Sequence, residues 1–299
     1  MIFLSVKEIA AKWGVSERTV RNYCQLKKIP GAHLRGKTWF IPENAKRPLR
    51  KNSIVASASP LAIRLIEEKN ERMTGGIYHK LQIELTYNSN HIEGSRLTHD
   101  QTRYIYETNT IGADKTSVNV DDIVETVNHF RCIDYIIDHY DKCITEKMVK
   151  ELHFLLKNGT SDSRKSWFAV GDYKQLPNEV GGLMTTAPEN VSGEMQSLLQ
   201  EYKRKESCSL EELLEFHYRF ERIHPFQDGN GRVGRLLLFK ECLRYQVVPF
   251  IITEELKMFY YRGLSEWKME KGYLLDTCLT AQDVFKQYLE YFRIEYDEK

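Results

Sequence analysis

Apolar residues recur every three or four positions along most of the chain, which is the spacing of amphipathic helices packed on a core. The stretch 172–186 breaks this pattern, because Pro177-Asn178 and Gly181-Gly182 interrupt it and favour a β-hairpin. The pattern therefore predicts a mainly α fold with one hairpin. The ten predicted helices cover 61–73, 77–88, 98–108, 120–140, 145–157, 189–205, 210–223, 231–246, 254–271 and 274–296.

Residues 1–45 show a shorter helical pattern that is followed by two short β segments. An apolar helical face ends at Gly14, and Ser16 is placed to cap a second helix over 17–26. Two helices joined by a short turn that contains glycine form a helix-turn-helix pattern. The β segments after them predict a hairpin with its tip at 35–37.

The segment 46–60 is rich in proline, serine, alanine and basic residues, which is typical of a linker. It separates a predicted N-terminal domain, 1–45, from a larger domain, 61–299. Charge is divided in the same way, since residues 1–52 contain twelve basic and three acidic residues, a balance of +9, and the remaining 247 residues carry −8. We therefore expect the N-terminal end to bind an anion.

Composition and cysteine spacing narrow the class of protein. Hydrophobic residues make up 41% of the chain and charged residues 28%, which is ordinary for a globular protein. No apolar run approaches the ~18 residues of a membrane span, and the first residues do not resemble a signal peptide. Six cysteines without CxxC spacing favour reduced thiols over disulfides or a zinc site. We therefore predict a cytoplasmic protein that makes no membrane contact.

A polar, glycine-rich loop between two apolar helices carries the candidate chemistry. It reads HPFQDGNGRVGR and covers 224–235. Pro225 ends the helix before it and the next helix begins near Gly231, so the loop lies at a helix N terminus, where free N–H groups attract anions. Gly229 and Gly231 permit the left-handed backbone angles that turn such N–H groups inward. The loop therefore predicts a site for a di- or triphosphate.

The side chains of this loop suit the same ligand. Asp228 offers the hard oxygen atoms that Mg²⁺ prefers. Asn230, Arg232 and Arg235 can hold phosphate oxygens, the two arginines through charge-assisted hydrogen bonds. His224 can serve as the general base for an incoming hydroxyl.

The loop matches every fixed position of the Fic motif, HxFx(D/E)GNGRxxR. Residues 60–290 resemble the Fic domain more widely, in the segments NSNHIEGSRLT, ITEKMVKELHFLL and FAVGDYKQLPNEVGG. The resemblance implies a Fic fold and transfer of AMP from Mg-ATP to a Ser, Thr or Tyr hydroxyl of a protein. It makes His224 the base and Asp228 the Mg²⁺ ligand. The implied nucleotide-binding residues are Gly229, Asn230, Gly231 and Arg232 at the α and β phosphates, Arg235 at the γ phosphate, and Phe226, whose ring anchors the loop in the core.

A kinase-like branch of the family has lysine in place of the second glycine of the motif. This chain has Gly231, which favours nucleotidyl transfer over phosphorylation. The target protein, self-modification and the choice between ATP and another nucleotide are not visible in the sequence.

The segment SNHIEG is similar to the inhibitory pattern (S/T)xxxE(G/N) of Fic proteins. Ser89 and Glu93 share one helical face if the predicted helix 77–88 continues for another turn. The resemblance implies an inhibitory helix at 77–94, in which Glu93 pairs with Arg235 and keeps its guanidinium from the γ phosphate. We therefore expect low basal activity.

The hairpin predicted at 172–186 resembles the flap with which Fic domains bind an extended stretch of their target. A surface hairpin without a function is the alternative. The target-docking residues that the resemblance implies are Asp172, Tyr173, Lys174, Gly181 and Gly182.

Residues 1–45 resemble the winged helix-turn-helix modules of MerR-like and excisionase-like proteins, with the hairpin as the wing. The resemblance implies DNA binding, a location on the nucleoid when bound, and a homodimer, since single modules usually work in pairs. A protein-interaction module is the alternative. The implied DNA contacts are Arg18, Thr19, Arg21 and Asn22 in the major groove and Arg35 and Lys37 on phosphate or in the minor groove.

Two functions other than a self-inhibited transferase stay open. One is a transcriptional regulator that senses a nucleotide without significant turnover, and the other is an enzyme that mainly removes AMP from its target. The complete set of loop residues favours an enzyme, because a sensor has no need of a positioned base such as His224.

Overall fold

The computed structural model describes residues 3–25, 28–36, 38–45, 59–112, 117–203 and 205–296. The chain divides into two compact units, Met1–Ala56 and Ser57–Lys299. The domain limits at 1–45, 46–60 and 61–299 stay predictions, and residues 46–58 of the linker lie outside the described residues.

The smaller unit contains the two predicted helices and the predicted hairpin. Ser5 caps the first helix in a capping box with Glu8, and Gly14, at φ 63°, ends it. Ser16 Oγ accepts the Thr19 amide at 3.2 Å and so caps the second helix, as predicted. The sheet has the antiparallel order β1-β3-β2, and β1, two residues long, is too short to show a sequence period. The elements are β1 Phe3–Leu4, α1 Val6–Trp13, α2 Glu17–Gln25, β2 His33–Arg35 and β3 Thr38–Pro42.

The larger unit is helical apart from one short hairpin, which confirms the mainly α fold class. All ten predicted helices are present in the described residues, and two 3₁₀ turns lie between them, at Asp162–Arg164 and Glu254–Leu256. The elements are α3 Pro60–Asn70, α4 Ile77–Ile92, α5 His99–Thr108, α6 Val120–Asp138, α7 Glu146–Lys157, β4 Glu179–Val180, β5 Leu183–Met184, α8 Pro188–Lys203, α9 Leu210–Ile223, α10 Asn230–Tyr245, α11 Lys257–Glu266 and α12 Gly272–Tyr291.

Three of the predicted helices, α4, α11 and α12, differ most from the structure at their ends. Helix α4 is one turn longer, because Asn90, a residue typical of helix ends, is buried and donates to Thr126 Oγ1 at 3.2 Å; Gly94, at φ 97°, follows it. The prediction 254–271 was too long, since its start is the 3₁₀ turn and α11 ends at Glu266. Helix α12 stops short of residue 296 because Arg293 takes a left-handed φ of 55°.

Helix α10 lies at the centre of the larger unit. Thirteen of its 16 residues are buried, and it packs against α4, α6, α7 and α9. A helix that is buried on all sides cannot show a one-sided apolar stripe, which is why its sequence mixes leucines with charged residues. None of the described helices is both long and apolar enough to cross a membrane.

The C-terminal half of α10 contains a closed cluster of charged side chains. Glu241 accepts hydrogen bonds from Lys240 Nζ at 2.5 Å, Tyr202 Oη at 2.6 Å and Arg244 Nη1 at 3.3 Å. Lys240 Nζ also donates to the carbonyl of Lys142. We call Tyr202, Lys240, Glu241 and Arg244 the Glu241 network.

Candidate active site

The conformation of the loop between α9 and α10 is fixed by its own backbone and by one buried ring. His224 ends α9 in a left-handed conformation, at φ 51° and ψ 62°, directly before Pro225. The Phe226 ring is fully buried and stacks on His153, with 3.9 Å between ring centroids. His153 Nε2 lies 3.2 Å from the carbonyl of Asp228. Phe226 therefore fixes the loop from within the core, and its side chain cannot contact a nucleotide.

Asn230 closes the loop through a pair of hydrogen bonds. Its Oδ1 accepts the amide of Phe226 and its Nδ2 donates to the carbonyl of Phe226, both at 2.8 Å. The side chain is 1% exposed, so both ends of the amide are already used. This differs from the predicted phosphate contact, because Asn230 can offer an incoming phosphate its backbone N–H but not its side chain.

The N terminus of α10 is open toward the loop. Gly229 precedes the helix at φ 81°, and no side chain caps it. Gly231 does not have the left-handed angle that we predicted, because it already lies in the first helical turn. It supplies space instead, since a Cβ at this position would collide with Glu93 Oε1. The N–H groups of this turn can therefore face an anion.

Five charged side chains meet beside this turn, and we call them the Asp228 network. Asp228 Oδ2 lies 2.6 Å from Lys157 Nζ and 3.3 Å from Arg232 Nη2. Lys157 also pairs with Glu125 at 2.5 Å and Asp162 at 3.2 Å, and Arg232 pairs with Glu125. Arg232 therefore reaches the site with its guanidinium already shared between two carboxylates.

Asp228 is held ionised in this network. Burial alone would raise the pKa of its carboxyl, but Arg232 and Lys157 outweigh burial and lower the pKa well below the usual range. The side chain is 49% exposed, so an ionised carboxylate faces the open end of α10. An ionised, half-exposed carboxylate fits a hard divalent cation such as Mg²⁺.

Sequence reasoning missed Glu125, Lys157 and Asp162. Lys157 and Glu125 lie 71 and 107 residues before the loop residues with which they pair. Each looks like an ordinary charged residue of an amphipathic helix, and no spacing rule connects such distant positions. The loop motif itself contains no feature that points to these three residues.

Arg235 is bound by the end of α4. Its Nη2 lies 2.7 Å from Glu93 Oε1 and 2.9 Å from the carbonyl of Ser89, and its Nε donates to Ser89 Oγ at 3.1 Å. The residue is 6% exposed, whereas the Glu93 side chain is 28% exposed. The same Glu93 oxygen lies over Gly231, so a carboxylate occupies the first turn of α10, where an anionic ligand would bind.

His224 is half-buried, in the loop that precedes the first turn of α10. Burial and, to a smaller extent, the charge of Lys174 lower the pKa of its imidazole to about 4, against opposing effects of the Glu221 carbonyl, Glu93 and Asp228. The ring is therefore neutral near pH 7 and able to accept a proton.

The flap is an exposed hairpin with a buried base. Gly181 and Gly182, at φ 57° and 76°, form its turn. At its base Asp172 pairs with Lys150 at 3.0 Å. Lys174 is 3% exposed, so its side chain is not available to dock a target as we predicted. The exposed apolar residues of the hairpin region are Leu176, Val180, Leu183 and Met184.

The helix-turn-helix unit presents most of its predicted DNA contacts to solvent. Thr19 is only partly exposed, and its hydroxyl lies 2.9 Å from Ser16 Oγ. Lys37 lies outside the described residues. The exposed contacts are Arg18, Arg21 and Asn22 on α2 and Arg35 at the end of β2.

The helical fold, the loop between two buried helices and the adjoining hairpin are the arrangement that the resemblance to Fic domains implies. Residues 143–241 match the Fic/DOC family, and residues 3–45 match a helix-turn-helix domain. This chain therefore carries a Fic domain and an N-terminal helix-turn-helix domain, as its motifs predicted.

Two relatives are proteins named protein adenylyltransferase Fic. The one from Nematostella vectensis is 26% identical over 184 residues, which are 60% of this chain and 42% of that protein. The one from Drosophila sechellia is 31% identical over 190 residues, 60% of this chain and 36% of that protein. This chain thus spans less than half the length of these curated relatives.

Solved structures share the fold. A Fic domain containing signaling protein from Bacteroides thetaiotaomicron superimposes with a TM-score of 0.61 at 24% identity, over 80% of this chain and 99% of that chain. Fic-1 from C. elegans superimposes with a TM-score of 0.59 at 20% identity, over 78% and 71%.

Proposed function

We propose that this protein is a self-inhibited protein adenylyltransferase, which transfers AMP from Mg-ATP to a Ser, Thr or Tyr hydroxyl of a protein. The observation that carries the proposal is a neutral imidazole, His224, held beside an uncapped helix N terminus. A base and an anion site in one rigid loop are what transfer from a nucleotide to a hydroxyl requires.

The reaction needs one proton transfer and one exchange of bonds at phosphorus. His224 accepts the proton of the target hydroxyl while the hydroxyl oxygen bonds to the α-phosphorus of ATP. The bond from that phosphorus to the bridging oxygen breaks, and pyrophosphate leaves. The N–H groups of the first turn of α10 stabilise the charge on the phosphates, and Arg235 holds the γ phosphate once Glu93 releases it.

Asp228 is the residue that would hold Mg²⁺, whose charge would offset that of the phosphates. Lys157 and Arg232 keep this carboxylate ionised and fix its position. The exposed flap then provides a free strand edge and apolar side chains on which an extended target segment can lie.

Self-inhibition follows from the competition between a carboxylate and a phosphate for one guanidinium. Glu93 and Ser89 use both the Nε and the Nη2 of Arg235. ATP can therefore place its γ phosphate on Arg235 only when the end of α4 gives way, and basal transfer is expected to be slow.

The proposal is tested by intact-mass analysis of the Glu93→Gly protein after incubation with Mg²⁺ and ATP. We expect self-modification by one or more AMP groups, and no such gain in Glu93→Gly/His224→Ala, which lacks the base. Replacing ATP with GTP or UTP in parallel reactions identifies the preferred nucleotide.

Two results would point elsewhere. Bound ATP without any mass gain, in the presence of added candidate proteins as well, would favour a nucleotide-sensing regulator. Loss of AMP from a previously modified protein, faster with Glu93 than without it, would favour an enzyme that mainly removes AMP.

The N-terminal unit is proposed to bind DNA as a homodimer, which would place the protein in the cytoplasm, at the nucleoid. The basic residues exposed on α2 and β2 support this. In a fluorescence assay with genomic DNA fragments, Arg18→Ala and Arg21→Ala should weaken binding and lower its dependence on salt. Unchanged binding and salt dependence would favour a protein-interaction module.

A further inference from the structure

The flap is tied to the catalytic loop at its base. The Lys174 amide donates to the carbonyl of Pro225 at 2.9 Å. Asn178 Nδ2 donates to the carbonyl of Phe226 at 3.0 Å. These hydrogen bonds run between the hairpin and the two residues that follow His224, so the position of the flap is set relative to the base.

A buried ammonium group holds the base of the hairpin together. Lys174 Nζ donates to Asn178 Oδ1 at 2.7 Å and to Thr185 Oγ1 at 2.6 Å. Thr185 Oγ1 also lies 2.6 Å from Asn178 Oδ1, so the three side chains form one cluster across the hairpin. We call Lys174, Asn178 and Thr185 the flap anchor.

Lys174 has no carboxylate within ion-pair distance among the described residues, although it is 3% exposed. Burial lowers the pKa of its ammonium to about 8, against an opposing effect of Glu194. A buried charge without a partner of opposite charge costs stability. An apolar side chain would pack at this position at a lower cost in stability. The presence of a lysine therefore favours a role for Lys174 in the site.

The flap anchor and α10 share one carbonyl group. The oxygen of Phe226 accepts hydrogen bonds from Asn178 Nδ2 at 3.0 Å and from Asn230 Nδ2 at 2.8 Å. The flap anchor is therefore attached to the carbonyl of Phe226, which lies two residues after His224 in the chain.

We propose that Lys174 is a positioning residue that selects the acceptor, because it fixes the flap so that a protein hydroxyl, rather than water, reaches His224. The inference rests on the proposed function and deepens it. With either acceptor the base takes one proton and pyrophosphate leaves, and the products are AMP-protein or free AMP. Water can reach His224 without the flap. A hydroxyl on an extended target segment must instead be held by the flap within reach of His224.

The test measures both products in the Glu93→Gly background at pH 8, where His224 is neutral with or without Lys174. Intact mass gives the AMP bound to protein, and chromatography gives the free AMP. We compare Lys174→Met, Asn178→Ala and a matched control, Lys142→Met, whose side chain is 60% exposed outside the flap. For the two anchor variants we expect the ratio of bound to free AMP to fall at least tenfold, with free AMP formation changed less than twofold and the control unchanged.

Amide hydrogen exchange measures the stability of the flap anchor and does not require that the enzyme turn over. The amides of Lys174 and Thr185 donate to the carbonyls of Pro225 and Asn178, and in Lys174→Met they should exchange at least tenfold faster. An unchanged product ratio in folded Lys174→Met and Asn178→Ala would overturn acceptor selection. If Lys174→Met does not fold, Asn178→Ala alone carries the test.

The two proposals fail in distinguishable ways. If Glu93→Gly forms neither product, the proposed function fails and acceptor selection fails with it, while hydrogen exchange still decides whether Lys174 holds the flap. If Glu93→Gly forms both products in a ratio that the anchor variants do not change, only the role of Lys174 is overturned.

Discussion

The two ends of helix α10 both place charged side chains in the protein interior, but only one end is closed. In the Glu241 network, Lys240 is 0% and Glu241 1% exposed, and each has partners. In the Asp228 network the central carboxylate is 49% exposed, and Glu93 across the same turn is 28% exposed. The C-terminal cluster is therefore complete, while the N-terminal one borders on solvent.

This difference separates charges that serve stability from charges that serve binding. A closed network stabilises the fold when every donor and acceptor in it is paired, because an unpaired buried charge lowers the free energy of unfolding. An open network keeps a carboxylate ionised and an arginine within reach of a ligand, and it can exchange one partner for another. Glu93 on Arg235 is such an exchangeable partner.

The largest effect should come from opening the closed end. Lys240→Met leaves Glu241 buried with one cation fewer, and we expect a loss of ~3–5 kcal/mol in the free energy of unfolding. Lys157→Met, its counterpart in the Asp228 network, should lose less than half as much, because Asp228 and Asp162 are partly exposed and Glu125 keeps Arg232 as a partner. Urea denaturation measures both, and equal losses would contradict the comparison.

A second change should lower activity far more than it lowers stability. In Asp228→Asn we expect AMP transfer in the Glu93→Gly background to fall about a hundredfold, by analogy with the loss of one preorganised charged group from a reaction site. The free energy of unfolding should fall by less than in Lys240→Met, since the carboxylate is half exposed and Lys157 and Arg232 keep Glu125 as a partner. Transfer assays and urea denaturation of one preparation show whether the two properties separate.

A smaller effect should follow from freeing Arg235. Glu93→Gly removes a charge-assisted hydrogen bond worth about 1.5–3 kcal/mol, so the rate of AMP transfer should rise at least tenfold. Ser89→Ala removes only the hydroxyl contact and should raise the rate less. Initial rates at saturating ATP measure both, and a larger rise for Ser89→Ala would show that Glu93 is not the main competitor.

The smallest effect is on pH dependence. The folded pKa of His224, about 4, lies below the ordinary value of 6.5, so the unfolded chain binds the proton first as pH falls. Its contribution to stability is therefore present above pH 6.5 and is lost as pH falls toward 4. The rate of transfer should stay level from pH 8 to about pH 5; a fall centred near pH 6.5 would mean that the imidazole is not held neutral.

The sequence predicted the elements that depend on periodicity and on contiguous motifs. The ten helices, the flap hairpin and the loop 224–235 all follow from local patterns, and the structure contains them. The contact between Glu93 and Arg235 was expected only because the spacing of SNHIEG resembles a known pattern.

What the sequence did not predict depends on contacts between distant segments. Glu125 and Lys157 enter the site from α6 and α7, and nothing in their own helices marks them. Asn230 and Lys174 were predicted in the site but with different contacts, because a motif fixes which residue stands at a position and not which neighbour its side chain meets. Both side chains are buried, so their polar atoms bond to neighbouring protein groups and not to a ligand or target.

His224 stands in a left-handed conformation, and this has a consequence for how natural selection can act on the chain. For any residue with a Cβ such a backbone costs about 1–2 kcal/mol, and the Pro225 that follows restricts the choice further. Glycine would make this turn more easily, so variants that drift toward glycine here gain stability and lose the base. The domain is thus less stable than its fold allows at the residue proposed to act as the base. A descendant that has lost this activity would be expected to be more stable.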